Sequence, residues 1–385
     1  MMIVTNPFRP DERVRREAET LADLGFDITV LAWDREGVYP ITEKFSKFSV
    51  RRIRLRSSYS SILSVLVTMP IFWAAAFAEI LTRNVDVIHC HDIDTLPIGI
   101  VAKIFRSRIK TVYDAHEQYS SMIADFAPSP IRAVIAAIER LLPRKADAVL
   151  TVNEVLAERI ENRHVFIVRN TPDARRGPIS DDSVSTTEWP SGFRILLYGY
   201  LTRDRGIETI LRIASEHPNL SIVIAGSGPC TEIVKEAATR LRNLKFLGYV
   251  SQERIRRLLT QCELVYALED PRIENNRIAS PSRLYQAMMF GKPVLVPRRS
   301  YMEEVILRER CGIVATYDDM SSVLDAILKL ETDKQLASLL GRNGKMAFEE
   351  KYQWRFSATS LKACYDLILT QSTKDMINQR HELQS

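Results

Sequence analysis

The chain has 385 residues, of which 46% are hydrophobic and 26% are charged, and its formal net charge is +5 at pH 7. This composition excludes a disordered chain and supplies apolar material for two cores of ordinary domain size. The five cysteines lie far apart without CxxC spacing, which argues against a disulfide framework or a zinc site and favours free thiols in a reducing cytosol.

Short apolar strands alternate with helical stretches through the first half of the chain. No signal peptide precedes them, so we expect the active part of the protein to face the cytoplasm. The predicted strands lie at residues 2–5, 28–33, 50–55, 85–89, 110–114, 148–153 and 165–169. This alternation is typical of a parallel, doubly wound sheet. We therefore predict a Rossmann-like N-terminal domain at residues 1–172.

A second series of strands follows a polar segment. Residues 173–192 are rich in Ser, Thr, Asp, Pro and Gly, which indicates an interdomain linker. The later predicted strands lie at residues 194–198, 221–225, 244–247, 264–267, 293–296 and 312–315. The sequence thus predicts an α/β protein with two Rossmann-like, doubly wound domains that face a cleft. The second domain is predicted at residues 193–350, and a C-terminal helix and tail at residues 351–385.

An uncharged apolar segment in the first half follows a group of cations. Residues 57–78 carry no charge, and no acidic residue lies between Glu43 and Glu79. The cations are Lys44, Lys47, Arg51, Arg52, Arg54 and Arg56. Pro70 and the flanking strands favour a crossover helix over a transmembrane span. Two interpretations remain: a buried crossover helix, or a surface at residues 44–78 that contacts an anionic membrane.

Histidines and carboxylates follow two of the predicted strands in the first half. His89, Cys90, His91 and Asp92 form one group, and Asp114, Ala115, His116 and Glu117 form the other. Such side chains could bind a metal ion. We expect the alternation along a strand to separate His89 from His91, however, and therefore predict no metal site.

Two loops of the second half are expected to present polar groups at the carboxyl edge of its sheet. The loop at residues 198–206 would place backbone N–H groups and Arg205 there, and ligands bind at that edge in open α/β sheets. The turn with Gly226 and Gly228 allows close approach of backbone, which suits either a ligand or a purely structural turn.

The segment at residues 276–297 combines a helix start, a helix and a buried strand. Ser280 is expected to cap the helix and Pro281 to occupy its first turn, while Gly291 is expected to end it. The N-terminal N–H groups and the helix dipole would attract an anion near Ser282. The segment therefore predicts an anion-binding site.

This segment resembles the donor-binding signature of the family 4 glycosyltransferases, which have the two-domain GT-B fold. The resemblance extends from residues 11–14 to the terminal helix after Trp354, which in this fold crosses back to the N-terminal domain. It implies a retaining hexosyltransferase that moves a sugar from a nucleotide-diphosphate sugar to a lipid-linked or cell-surface glycan acceptor. No cofactor or metal is implied. Polysaccharide biosynthesis for the cell envelope, in the cytoplasm or peripherally on the inner face of the cell membrane, is the implied role.

The same resemblance assigns roles to individual residues. The implied catalytic residues are His116, Glu117 and Arg205. The implied donor-binding residues are Gly199, Arg205, Gly226, Gly228, Tyr249, Ser280, Ser282, Arg283 and Gln286. The implied acceptor-side residues are Asp11, Arg13, His91 and Asp92. Nucleic acid is not an expected partner, because the cations lack interleaved aromatic side chains.

The chain departs from the family pattern at two glutamates that commonly lie eight residues apart. Ile278 and Gln286 occupy those positions, and Glu274 could replace the first carboxylate only from a shifted loop. A neutral amide binds a sugar hydroxyl more weakly than a carboxylate does. Two alternatives therefore stay open: a degenerate, non-enzymatic protein of the same fold that binds a glycan or a partner, and a nucleotide-sugar epimerase.

Overall fold

The computed structural model describes residues 1–9, 11–58, 62–122, 128–174 and 189–382, with the backbone alone at 62–63, 122 and 371–382. The chain divides into two compact units. Unit 1 contains Met1–Arg169 and Phe356–Ser385, and unit 2 contains Asn170–Arg355. Most of the predicted linker lies outside the described residues, and the predicted domain boundaries stay predictions.

Unit 1 contains an eight-stranded sheet. Its strands are β1 (Met2–Val4), β2 (Thr29–Asp34), β3 (Thr42–Lys44), β4 (Ser49–Arg54), β5 (Val87–His91), β6 (Lys110–Ala115), β7 (Ala148–Thr151) and β8 (Val165–Ile167). The strand order is β3-β4-β2-β1-β5-β6-β7-β8, and only the pairing of β3 with β4 is antiparallel. The sequence analysis did not predict β3, because Thr-Glu-Lys has no apolar pattern.

Helices cover both faces of the unit 1 sheet. They are α1 (Glu12–Asp23), α2 (Ile62–Leu81), α3 (Leu96–Phe105), α4 (Tyr119–Met122), α5 (Ser129–Leu141) and α6 (Glu154–Ala157), with a 3₁₀ turn at Leu142–Lys145. Crossovers between parallel strands are right-handed. Because α2, α3 and α5 connect strands in one direction along the sheet and α1 connects them in the other, α1 lies on the opposite face.

The segment α2 is a crossover helix. The ring of Phe72 stacks on Trp33 of β2 with 4.8 Å between the ring centroids, so one side of α2 packs on the sheet. By length and composition alone, the window Ser64–Leu81 would suffice to cross a membrane. Its packing and its position between β4 and β5 make it a crossover helix, but only 22% of that window is buried, so both interpretations of the segment stay open.

Unit 2 contains a six-stranded parallel sheet. Its strands are β9 (Phe193–Tyr200), β10 (Leu220–Ser227), β11 (Leu244–Phe246), β12 (Leu264–Tyr266), β13 (Val294–Pro297) and β14 (Gly312–Ala315). The order β11-β10-β9-β12-β13-β14 places β9 beside β12. The chain moves outward in opposite directions from this pair of strands, which creates the topological switch point where open α/β sheets bind ligands.

The helices of unit 2 connect its strands in sequence order. They are α7 (Ile207–Glu216), α8 (Thr231–Arg240), α9 (Gln252–Gln261), α10 (Glu274–Ile278), α11 (Ser282–Met289), α12 (Tyr301–Glu309), α13 (Met320–Thr332) and α14 (Lys334–Ala347). A 3₁₀ turn at Arg203–Arg205 precedes α7, and a π-helical turn at Phe348–Tyr352 follows α14.

The last helix, α15 (Trp354–Glu382), returns the chain to unit 1. The hydroxyl of Ser357 accepts a hydrogen bond from the backbone N–H of Arg169 at 3.1 Å. The ring of Tyr365 packs against Phe26 at 5.2 Å between centroids, and Leu361 and Ile368 are buried. The predicted α/β class and the predicted return of the terminal helix to the N-terminal domain are both confirmed.

Candidate active site

The polar groups of unit 1 meet where β1 lies beside β5, which is the switch point of that sheet. Arg13 of α1 donates from Nε and Nη2 to the two carboxylate oxygens of Asp114, at 3.0 and 2.6 Å, and from Nη1 to the carbonyl of Val168 at 2.6 Å. The side chain of Arg13 is only 5% exposed. Its partners therefore lie within unit 1, although the resemblance implied an acceptor-side role.

Asp114 also holds the two histidines of this region. Its Oδ2 lies 2.7 Å from His116 Nε2 and 3.2 Å from His91 Nδ1. His91 Nδ1 and His116 Nε2 are 3.2 Å apart. The structure thus brings together Arg13, His91 and His116, and it does so through a carboxylate for which the sequence analysis predicted no role.

His116 lies between two carboxylates. Its second ring nitrogen, Nδ1, is 3.4 Å from Oδ2 of Asp92. Burial disfavours the charged imidazolium, but Asp92 and Asp114 together raise the pKa of His116 to about 10. His91 shows the opposite effect, because burial lowers its pKa. At neutral pH His116 is therefore a cation and His91 is neutral.

His89 and His91 point to the same side of the sheet. Their rings are stacked at 4.4 Å between centroids. The expectation that the strand would separate them was wrong, because residues i and i+2 of a strand share a face. His89 Nδ1 lies 3.1 Å from the hydroxyl of Tyr365 on α15, and its Nε2 lies 3.7 Å from Glu17 Oε2 on α1.

A compact group of candidate metal ligands results. Ligand atoms of Glu17, His89, His91 and Asp114 lie within 4.8 Å of one another, and all four residues are buried. Arg13 already supplies a cation to both carboxylates, since its Nε is also 3.2 Å from Glu17 Oε1. Burial, followed by the charge of Asp114, raises the pKa of Glu17 to about 8, so this carboxyl is mainly protonated at neutral pH. Among the described residues, Glu17 Oε1 and Oε2, His89 Nε2 and His91 Nε2 are nevertheless buried without a hydrogen-bond partner.

The remaining predicted residues of unit 1 lie around this group. Asp11 caps α1 by accepting from the backbone N–H of Val14 at 3.1 Å. Asp92 has a positive φ of 63° and accepts from the backbone N–H of His116 at 3.4 Å. The side chain of Glu117 is exposed.

Two arginines stand at the switch point of unit 2. A Cβ on Gly199, at the end of β9, would lie 3.5 Å from Nη1 of Arg205 and 3.9 Å from Nη1 of Arg283. Arg205 comes from the 3₁₀ turn after β9, and Arg283 comes from the first turn of α11. Both predicted donor-binding cations therefore reach the same point of the sheet edge.

A buried carboxylate that the sequence analysis missed pairs with both arginines. Glu269 follows β12 and is 2% exposed. Its Oε1 accepts from Nη2 of Arg283 and lies 3.9 Å from Nε of Arg205. Burial, followed by the charge of Arg205, lowers the pKa of Arg283 to about 9. The position of Glu269 after a predicted strand was the available signal.

The start of α11 differs in detail from the prediction. The N-cap is Pro281, and no side chain caps the helix. The hydroxyl of Ser280 instead lies 2.8 Å from the hydroxyl of Tyr285, so the expectation that Ser280 is the cap was wrong. Ser282 is the first helical residue and is half-buried. The helix dipole still directs its positive end to the carboxyl edge of the sheet.

Gln286 faces inward from α11. Its side-chain Oε1 accepts a hydrogen bond from the hydroxyl of Tyr198 at 2.8 Å. One of the two lone pairs of the amide oxygen is thus used by a residue of β9. Ile278, at the other family glutamate position, is buried.

The glycine turn after β10 lies against β9. A Cβ on Gly226 would lie 1.8 Å from the carbonyl oxygen of Gly199, and a Cβ on Gly228 would lie 2.5 Å from that of Leu201. Both residues have positive φ, 147° and 157°. Close backbone packing therefore requires both glycines irrespective of any ligand. Tyr249, on the loop after β11, is 72% exposed.

Comparison with known families covers most of the chain. Residues 10–172 match the glycosyl transferase 4-like domain, and residues 184–347 match glycosyl transferases group 1. The chain is 21% identical over 305 residues to YqgM, an uncharacterized glycosyltransferase of Bacillus subtilis (strain 168), which covers 75% of this chain and 80% of YqgM.

Solved structures share the fold over nearly the full length. The chain is similar to the sucrose-phosphate synthase of Thermosynechococcus elongatus, with a TM-score of 0.79 and 17% identity over 96% of this chain and 98% of that one. It is also similar to Anabaena HepE, solved in complex with UDP-glucose, with a TM-score of 0.69 and 14% identity over 95% of this chain and 98% of that one. The chain therefore belongs to the family 4-like glycosyltransferases with the GT-B fold.

Proposed function

We propose that this glycosyltransferase is a retaining hexosyltransferase that uses a nucleotide-diphosphate sugar and a lipid-linked or cell-surface glycan acceptor. The observation that carries the proposal is the convergence of Arg205 and Arg283 beside Gly199 at the switch point of unit 2. Two guanidinium groups at a ligand-binding edge suit a diphosphate, because each can donate two parallel hydrogen bonds to phosphate oxygens.

The donor would lie along the carboxyl edge of the unit 2 sheet. Its diphosphate would contact Arg205, Arg283 and the N-terminal N–H groups of α11 at Ser282. The exposed ring of Tyr249 would be available to the base. The UDP and UDP-glucose complexes of Anabaena HepE, which has the same fold, support a nucleotide-sugar donor.

The chemistry of transfer would depend on charge stabilisation at the leaving group. When the bond between the sugar C1 and the diphosphate oxygen breaks, negative charge develops on the diphosphate. Preorganised cations at that position stabilise the transition state. The acceptor hydroxyl would form the new bond at C1 on the face that the diphosphate leaves, and its proton would pass to a diphosphate oxygen. No metal ion is required in this scheme.

His116 would act as a cation. Both of its ring nitrogens face carboxylates, and its pKa is raised to about 10, so His116 is mainly protonated at neutral pH. With both ring nitrogens directed at carboxylates, the imidazolium would contribute its positive charge and the orientation of Asp92 and Asp114, and no hydrogen bond to the substrate. We therefore propose an electrostatic and orienting role for His116 and no general-base role. Glu117, which is exposed, would act on the acceptor side.

The proposal also includes a lipid-linked acceptor and a peripheral position of the protein at a membrane. A lipid-linked acceptor for envelope polysaccharide would require the enzyme to work peripherally at the cytoplasmic face of a membrane. The exposed apolar side chains of α2, such as Leu66, Val67 and Ile71, support such a position.

A thermal-shift screen tests the donor. Purified protein is heated with UDP, GDP, ADP or dTDP and with the corresponding nucleotide sugars, and Tm is compared with that of the free protein. One nucleotide should raise Tm, because a ligand that binds only the folded state stabilises it. The rise should be lost in Arg205→Ala and retained in Arg212→Ala, which changes an exposed arginine of α7.

Two outcomes would contradict the proposal. If well-folded protein shows no shift with any nucleotide, unit 2 does not hold a nucleotide-sugar site. If the shift persists unchanged in Arg205→Ala, the site lies elsewhere. Metal independence is tested by repeating the screen and a donor-hydrolysis assay in EDTA, where an unchanged result is expected.

A further inference from the structure

The helix α2 is apolar on its solvent-exposed side as well as on its packed side. The buried side chains are Met69, Phe72, Ala76 and Ile80. Exposed residues include Val67, Ile71, Ala74, Ala78 and Leu81, and Leu66 and Pro70 beside them are exposed as well. The first five have the spacing i, i+4, i+7, i+11 and i+14, so they form one stripe, about 21 Å long at 1.5 Å per residue. A surface helix ordinarily has a polar outer face.

The neighbouring helix α3 continues the apolar surface. Val101, Ile104 and Phe105 are exposed by 41%, 75% and 68%, and their spacing places them on one side of the helix. The ring of Phe105 packs edge-on against Phe77 of α2 at 5.2 Å between centroids. The two exposed stripes therefore adjoin, and we call them together the α2–α3 face.

The helix α5 lies on the same side of the sheet and has the same character. None of its residues is buried. Val134, Ile138 and Leu141 are exposed by 60%, 40% and 48% at the spacing i, i+4 and i+7. An apolar patch of this kind that is exposed to solvent marks an interaction site.

Two arginines lie at the C-terminal ends of α2 and α3. Arg106 donates to the backbone carbonyls of Ile80, Leu81 and Arg83, which joins the ends of the two helices. Arg108 donates to Asn84. In the part of the chain that the structure describes, neither arginine has a carboxylate partner. Their positive charge at the border of the apolar surface is therefore not offset by an ion pair within the described residues.

The cations that precede α2 are a weaker source of positive potential than the sequence indicated. Lys47 pairs with Asp23, and Arg51 pairs with Glu79. Arg52 is buried and pairs with Glu43. Much of the charge at residues 44–56 is therefore neutralised within unit 1, whereas Arg106 and Arg108 lie near the other end of α2.

We propose that the α2–α3 face docks onto an anionic lipid bilayer, with Val67, Ile71 and Ile104 in the acyl boundary and with Arg106 and Arg108 at lipid phosphates. An apolar face bordered by cations is the pattern of interfacial helices. The exposed stripe of α2 offers no side-chain hydrogen-bonding group, whereas protein interfaces carry about one hydrogen bond per 100–200 Å². The proposal deepens the proposed function, because a lipid-linked acceptor would be presented at that bilayer.

The test is flotation of the purified 385-residue chain with lipid vesicles, which requires no catalysis. Vesicles of phosphatidylcholine alone are compared with vesicles that contain phosphatidylglycerol as well. We expect binding to the anionic vesicles, reduced by high salt because the contribution of cations is screened. Ile71→Glu combined with Ile104→Glu should lower the vesicle partition coefficient at least tenfold. Arg108→Gln should lower it about fivefold, as expected for one cation near a charged surface.

Matched control variants distinguish a specific effect at the α2–α3 face from the general effect of changing an exposed isoleucine or arginine. Ile233→Glu changes an isoleucine of α8 that is 43% exposed, and Arg240→Gln changes an exposed arginine of the same helix. Both variants should float like the unchanged protein. Tm of every variant should stay close to that of the unchanged protein, because all substituted side chains are at the surface.

Three results would overturn the proposal. The first is no flotation with either vesicle. The second is equal flotation of the Ile71/Ile104 and Ile233 variants. The third is a concentration-dependent dimer that the Ile71/Ile104 variant abolishes while lipid binding is absent, which would make the face an interface between copies. The nucleotide screen reports separately on the donor site, so a failure of lipid binding is distinguishable from a failure of the transferase proposal.

Discussion

The imidazole of His116 and the carboxylate of Asp114 meet at the end of β6, with 2.7 Å between Nε2 and Oδ2. The same carboxylate accepts two hydrogen bonds from Arg13, so one buried anion serves two cations. These two cations hold the pKa of Asp114 well below its usual range, against the effect of burial. The end of β6, helix α1 and the loop after β5 are thereby joined at a single side chain.

Asp114→Asn should destabilise the protein strongly. The substitution removes the carboxylate that accepts two hydrogen bonds from the buried guanidinium of Arg13 and leaves it only the mainly protonated Glu17. Breaking a buried pair by removing one partner costs about 3–5 kcal/mol. Chemical denaturation followed by circular dichroism measures the loss. The control is Asp366→Asn, which removes the partner of Lys362 on the surface of α15 and should change stability by less than about 1 kcal/mol. Equal effects of the two substitutions would contradict the central role of Asp114.

Glu17→Gln should change how stability depends on pH. The pKa of Glu17 is raised to about 8 in the folded protein, so the stability that its buried neutral form provides is fully present below the ordinary carboxyl pKa. That stability is lost as the pH rises from the ordinary pKa through about 8, with a slope of at most about 1.4 kcal/mol per pH unit. A glutamine does not titrate. The variant should therefore gain stability relative to the unchanged protein between pH 5 and pH 8.

Tm measured across this pH range checks the prediction. His116 also has a raised pKa, but it is present in both proteins, so its contribution cancels in the comparison. Glu232→Gln, at an exposed position of α8, should follow the unchanged protein at every pH. Parallel curves for the Glu17 variant and the unchanged protein would show that Glu17 is ionised in the folded state.

Glu269→Gln should lower Tm of the free protein and enlarge the stabilisation by a nucleoside diphosphate. Without the carboxylate, Arg283 lacks its buried anion, and that loss should cost about 3 kcal/mol or more. A bound diphosphate can supply the missing negative charge to Arg283 and Arg205. The measurement is the nucleotide-induced shift in Tm for both proteins. A smaller shift in the variant would indicate that Glu269 instead orients the two arginines for the ligand.

Gly226→Ala should prevent normal folding of unit 2. The new Cβ would lie 1.8 Å from the carbonyl oxygen of Gly199, and because both atoms belong to strand ends neither can move freely. We expect a loss of more than about 3 kcal/mol, at the upper end of the cost of overpacking. Gly37→Ala is the control, because Gly37 also has a positive φ but has no atom within 4 Å of the added Cβ. Similar losses in the two variants would assign the effect to φ alone.

The local features of the fold could be predicted from the sequence. Alternating apolar strands indicated both sheets, and the sequence around Ser282 indicated α11, because these patterns depend on residues that are neighbours in the chain. The resemblance of that segment to a known family then supplied the fold, which the comparison with families confirmed. The residues at which strands end were predicted less accurately: β5 extends to His91, whereas the prediction ended at His89.

The partners within the candidate site could not be predicted in the same way. Arg13 and Asp114 are 101 residues apart, and Arg283 and Glu269 are paired because β12 ends and α11 begins at the same edge of the sheet. Such contacts depend on the order of the strands, which the sequence pattern leaves open. The stacking of His89 on His91 was available from strand geometry and was missed because the side-chain period of a strand was misapplied.

The return of α15 to unit 1 affects the order in which the two units can finish folding during synthesis on the ribosome. Residues Phe356–Ser385 belong to the unit that begins at Met1, whereas all of unit 2 is contiguous in the chain. The hydroxyl of Tyr365 that contacts His89 is therefore added after every residue of unit 2. Domains commonly fold in N-terminal to C-terminal order during synthesis. In this chain the packing of the N-terminal unit cannot be completed until α15 has emerged. Until then, the region around Glu17 and His89 lacks the contacts that α15 supplies.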